Sequence, residues 1–157
     1  MLEIKIKGLK EKVILLGDRA LYLPARKTVV VSDVHLGKSA SFRQRNFFAP
    51  SGMHTRDIER LERLIKENEA ERLFVLGDLV HAQDGINAEV IDEFARFRER
   101  IGRCRVSLVL GNHDRKVKLP PSWQLEIIKK SVLEDGIVFS HEPVTLDDAQ
   151  KIDFVLC

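Results

Sequence analysis

Two periodicities alternate along the chain. Leu2, Ile4 and Ile6 are interleaved with Glu3, Lys5 and Lys7, the two-residue period of a half-buried strand. Val13–Leu16 and Leu21–Leu23 flank Gly17-Asp18 and predict short antiparallel partners around a turn. Val29–Val31 is an unbroken β-branched run, the mark of a buried strand. From Gly37 to Gly52 the residues are mixed polar and aromatic, which predicts a loop. Ile58, Leu61, Leu64 and Ile65 then recur at helical spacing, so a helix is expected over about 55 to 69. Leu73–Leu76 is the next buried strand, and Val90, Ile91, Phe94, Phe97 and Ile101 mark a second helix. Val106–Leu110 and Ile137–Phe139 are further buried strands, and Phe154 to Cys157 reads as one more. With no internal repeat, low-complexity tract or linker, one α/β domain over residues 1–157 is expected.

Composition narrows the class without changing this picture. The 157 residues are 44% hydrophobic and 32% charged, ordinary for a soluble globular domain that builds a core without disulfides. A net charge of +2 does not by itself point to nucleic acid. Cys104 and Cys157 lie far apart without metal-type spacing, which fits reduced thiols in a cytoplasmic protein. The N-terminus alternates apolar and charged residues, unlike a signal peptide, and no run of about 18 apolar residues predicts a membrane span.

The chemistry lies just past the buried strands. They are followed in turn by Asp33-Val34-His35, Gly77-Asp78-Leu79-Val80-His81, Gly111-Asn112-His113-Asp114 and Ser140-His141-Glu142. Four of the five histidines therefore stand at strand ends, and His54 alone does not. In open α/β sheets the carboxyl ends of strands are where ligands bind. Asp33-x-His35 or Gly77-Asp78-x-x-His81 alone is ordinary turn chemistry, since Gly-Asp is a common turn dipeptide, whereas Gly111-Asn112-His113-Asp114 holds more of these residue types than a turn needs. All four in one order are not turn chemistry. Together they gather carboxylate, imidazole and amide oxygen, a set suited to Mn²⁺, Fe²⁺ or Zn²⁺.

On these elements the chain resembles the calcineurin-like metallophosphoesterase superfamily. The longer strings SDVHLGKSASFR, VLGDLVHAQDG, VLGNHDRK, LPPSW and SHEP are most similar to its group of ligase-associated DNA-damage-response endonucleases, PdeM. The resemblance implies an α/β fold: a four-layer α/β/β/α sandwich with two mixed sheets. It implies two divalent metal ions, Mn²⁺ favoured, with Fe²⁺ or Zn²⁺ as alternatives. Asp33 and His35 would hold one metal, Asn112 and His141 the other, and Asp78 would bridge them. His113 would act on the scissile phosphate as transition-state stabiliser or proton donor, with Asp114 orienting it. The implied substrate is a phosphodiester, DNA or RNA, and the implied partners are DNA-ligase and helicase repair proteins, with self-association into a homo-oligomer also expected.

The superfamily carries a further Gly-His-x-His element, whose histidines cap the two metals. This sequence reaches Cys157 without it, so a C-terminally truncated domain is expected, with each metal short of one imidazole. An exposed apolar edge at Phe154–Leu156 would then favour self-association. Two functions from different classes follow. One is a dinuclear-metal phosphodiesterase or nuclease; the other is a truncated, catalytically weak or inactive remnant that keeps the fold and binds metal or a partner. For substrate contacts the candidates are Lys38, Arg43 and Arg45 beside Phe42, Phe47 and Phe48, together with His81 and with Arg115 next to the Gly-Asn-His-Asp turn. The same loop residues also fit a partly buried aromatic cap with solvated arginines, or a subunit interface.

Overall fold

A computed structural model describes residues 2–4, 9, 11–48, 53–144 and 154–156. Its strands are β1 (Leu2–Ile4), β2 (Val13–Leu16), β3 (Ala20–Leu23), β4 (Thr28–Val31), β5 (Arg72–Leu76), β6 (Arg105–Val109), β7 (Glu126–Ile128), β8 (Ser131–Glu134), β9 (Ile137–Ser140) and β10 (Phe154–Leu156). Its helices are α1 (Lys38–Gln44), α2 (Met53–Glu67) and α3 (Ala88–Arg100).

Seven strands form one sheet in the order β1-β2-β3-β4-β5-β6-β7, and β10-β9-β8 form a second. β1 to β4 pair antiparallel and β4 to β7 parallel. In the smaller sheet β8 runs antiparallel and β10 parallel to β9. Both sheets are mixed, as expected. Parallel pairing sends the carboxyl ends of β4, β5 and β6 to one edge, with α2 and α3 as the crossovers that parallel neighbours need.

Alternation assigns the two faces of the central strands. Val29, Val31, Leu73, Val75, Val106 and Leu108 pack against Ile58, Leu61, Leu64, Val90, Phe94 and Phe97 of α2 and α3. Val30, Phe74, Leu76 and Val109 face the other way and meet Ile137, Phe139 and Leu156 of the second sheet. Burial on both faces explains why these strands read as continuous apolar runs. The order helix, sheet, sheet supplies three layers of the sandwich; no helix among the described residues covers the outer face of the second sheet.

Three local expectations change. The segment expected as loop contains α1, where Ser39, Ala40 and Ser41 are buried and too small to register as an apolar face. Gly37 lets this helix start close to a neighbouring loop: its φ is 77°, and a Cβ there would lie 2.3 Å from the Gly85 carbonyl oxygen. β7 and β8 escape the pattern because their charged and apolar residues are largely exposed. Leu156, expected on an exposed edge, is 7% exposed in the core between the sheets. Cys104 is buried and free, and Cys157 lies outside the described residues. Among the described residues no helix is long and apolar enough to cross a membrane.

Candidate metal centre

The loops after β4 and β5 run side by side and lock each other. Asp33 N–H donates to the Gly77 carbonyl at 3.2 Å, His35 N–H to Asp78 at 2.9 Å, Leu36 N–H to Leu79 at 2.8 Å, and His81 N–H back to Leu36 at 3.0 Å. Within this ladder Asp33 (φ 52°), His35 (φ 52°) and Asp78 (φ 55°) adopt left-handed backbone, uncommon for residues with a Cβ. Such conformations cost about 1–3 kcal/mol each and cluster at functional sites. Here they turn two carboxylates and an imidazole to one side.

Asp114, 2% exposed, fastens the next loop to this pair. Its carboxylate accepts from the backbone N–H of Asp78 at 2.7 Å, Gly111 at 3.0 Å and Val80 at 3.0 Å. Burial pushes this carboxyl up, while the three donors pull it down. The orienting contact on His113 comes from elsewhere: its Nδ1 lies 2.5 Å from the His81 carbonyl oxygen. Asp114 thus positions main chain, and His81 supplies the hold on His113.

Asp78, 4% exposed, is the hub. Its Oδ2 lies 3.9 Å from His35 Nε2 and 3.9 Å from His113 Nε2, while Oδ1 lies 3.7 Å from His141 Nε2. Asp33 Oδ1 is 3.8 Å from His35 Nε2, and Asn112 Oδ1 is 3.2 Å from His141 Nε2. One carboxylate oxygen therefore faces the Asp33–His35 pair, and the other faces the Asn112–His141 pair. Two glycines make the crowding feasible. A Cβ on Gly111 would lie 2.1 Å from Asp78 Oδ1, and one on Gly77 would lie 2.2 Å from His141 Nδ1.

The donor set fits divalent metal. His141 Nδ1 sits 2.9 Å from the Leu76 carbonyl, which can only accept, so this nitrogen carries the proton. Nε2 then faces two oxygens, Asn112 Oδ1 and Asp78 Oδ1. A cation set among these three atoms would find a nitrogen and two oxygens as donors, and an imidazole anchored through its other nitrogen is the usual form of a metal ligand. Among the described residues, Asp33, His35 and Asp78 bring ligand atoms within 4.8 Å of one another, and so do His35, His81 and His113. Burial holds the imidazoles of His35 and His81 below their ordinary pKa, which favours the neutral form that metals require.

The candidates for substrate contact spread around this centre. His81 stacks on His113 with ring centroids 5.2 Å apart, and Phe42 meets His81 edge-on at 5.6 Å. Lys38 lies over the Phe42 ring, and Arg43 is exposed on the same helix. Arg45 pairs with Asp84 at 3.1 Å and Arg115 with Glu142 at 3.0 Å. Sequence reasoning missed Arg19, Asp57 and Arg60, which line a cleft of about 180 Å³ against Asp33 and His35, together with His54. Asp57 and Arg60 sit at helical spacing on α2, whose apolar stripe drew the attention; Arg19 carried no signal.

The sequence model described as calcineurin-like phosphoesterase matches residues 26–156. Among solved structures, the chain is similar to the crystal structure of Pseudomonas putida nuclease MPE, with 30% identity and a TM-score of 0.82 over 94% of this chain and 68% of that one. No curated protein matches the chain.

Proposed function

Because the chain belongs to the calcineurin-like phosphoesterase family, we propose that it hydrolyses phosphodiester bonds with a water activated between two divalent metal ions. Its substrates would be nucleic acid or nucleotide esters, in the service of DNA repair. The observation that carries this is Asp78, whose two oxygens face two separate ligand pairs. Asp33, His35 and Asp78 would hold one ion, and Asp78, Asn112 and His141 the other. Two such ions would supply a water of lowered pKa and neutralise phosphate charge. The residues of the chain do the rest. The His81 carbonyl fixes the proton on His113 Nδ1, so His113 Nε2 is the atom that gives a proton to the leaving oxygen. Asp78 Oδ2 lies 3.9 Å from that nitrogen. Lys38, Arg43, Arg45 and Arg115 would steer the polyanion, and the rings of Phe42 and His81 offer a face for a base. The mixed oxygen and nitrogen set favours Mn²⁺.

Hydrolysis of bis-p-nitrophenyl phosphate with metal analysis tests this. Activity should need added Mn²⁺ and vanish on chelation. Asp78→Asn should empty both positions together. His113→Ala should keep its metal while turnover falls by roughly two to four orders of magnitude, the range of a proton-transfer group. Turnover that survives exhaustive chelation overturns the proposal.

A further inference from the structure

The cleft against Asp33 and His35 takes no part in the proton transfer above, and three cationic side chains line it. Arg19 comes from the turn between β2 and β3, Lys38 from the start of α1, and Arg60 from the second turn of α2. Facing them are His54 and a single acid apart from Asp33, Asp57, whose carboxyl is pushed up by burial against the pull of Arg60 and Arg19. Among the described residues Arg60 is short of partners: its Nη1 donates to the Asp18 carbonyl at 2.7 Å, but its Nε–H is buried with no acceptor. Burial and the nearby charges of Arg19 and Arg63 work against its positive charge, although Asp57 and Asp18 partly offset them. A second anion in the cleft would offset that crowding of positive charge. At about 180 Å³ the space equals about six waters of liquid volume. That accommodates a phosphate group.

We propose that this cleft is an anion subsite that takes the phosphate next to the scissile one along a polynucleotide strand. The proposal rests on the phosphodiesterase reading and narrows it: the preferred substrate carries a flanking phosphate on the side of Asp33 and His35. An isolated diester fills only the metal centre and leaves Arg19, Lys38 and Arg60 with Asp33 and Asp57 as the acids of the cleft. The flanking group binds by charge and size alone, so an internal phosphate and a terminal one fit equally.

Dinucleotides with a 5′-phosphate, a 3′-phosphate or neither separate the outcomes. The wild-type enzyme should favour one phosphorylated form by about tenfold or more in kcat/KM, the scale of one charge-assisted hydrogen bond. Arg19→Gln, at an exposed turn position, should reduce that preference by about tenfold. Arg60→Gln should do the same and serves as the second variant. Equal rates on all three dinucleotides, or a preference that survives both substitutions, overturns the subsite. Independently, inorganic phosphate titrated into metal-free protein should shift the Arg60 Nε–Hε resonance; an unmoved resonance also overturns it. A shifted resonance in a protein that cleaves no diester would keep the subsite and sink the hydrolytic reading instead.

Discussion

At the scale of single residues, the centre depends on what is absent from two positions as much as on its ligands. Gly111 lies outside the left-handed region, so its requirement is spatial: any Cβ would meet Asp78 Oδ1 at 2.1 Å and the Asp78 nitrogen at 2.6 Å. The nitrogen belongs to backbone already gripped by Asp114, so the obstacle cannot swing away. Gly111→Ala should therefore cost about 1–3 kcal/mol, the range for overpacking, and lower metal content because the carboxylate must move. Urea unfolding and metal analysis would read both effects. An alanine variant with full metal content would show that the approach of the two loops is looser than described. Gly77 adds a second constraint, since its φ of 78° already favours glycine.

Among the elements, α2 and α3 are joined on their outer side by Glu62, which accepts from Lys66 Nζ at 2.6 Å and from Arg100 Nε at 2.7 Å. The Lys66 contact, then that of Arg100, holds the Glu62 carboxyl below its ordinary value of 4.5. A depressed folded pKa contributes stability above the unfolded pKa and loses it as pH falls through the folded one. Glu62→Gln should thus lower stability at neutral pH by roughly 0.5–1 kcal/mol, and the gap to wild type should close in acid below the normal glutamate range. A gap in urea midpoint that persists there would assign the effect to packing. The helices themselves were legible, because Ile58, Leu61, Leu64 and Ile65 or Val90, Phe94 and Phe97 keep the 3.6-residue period. So were the central strands and the residues at their ends, which depend on order along the chain. α1 was not, since Ser39-Ala40-Ser41 pack by smallness rather than by hydrophobic period. Neither was the hold of His81 on His113, which uses a carbonyl that every residue possesses.

Across the whole molecule, the proposed ligands come from four strand ends spread between Asp33 and His141, so the site exists only when both sheets are in place. Metal binding is then coupled to folding. At a hundredfold excess over Kd it should add about 2.7 kcal/mol, a rise in Tm of roughly 5–10 °C for a chain of this size. Scanning calorimetry with and without Mn²⁺ should show that rise, and Asp78→Asn should abolish it. An unshifted wild-type Tm would mean that the ions are held too weakly to matter. What fastens the loops of this site is, finally, indifferent to most side chains. Asp114 grips only peptide N–H groups, at positions 78, 80 and 111, and every amino acid except proline offers one. Neighbours such as Ala82, Gln83 and Arg115 lie outside that grip. A lineage can therefore rewrite them and change what is recognised, while the place where cleavage occurs is inherited in the main chain.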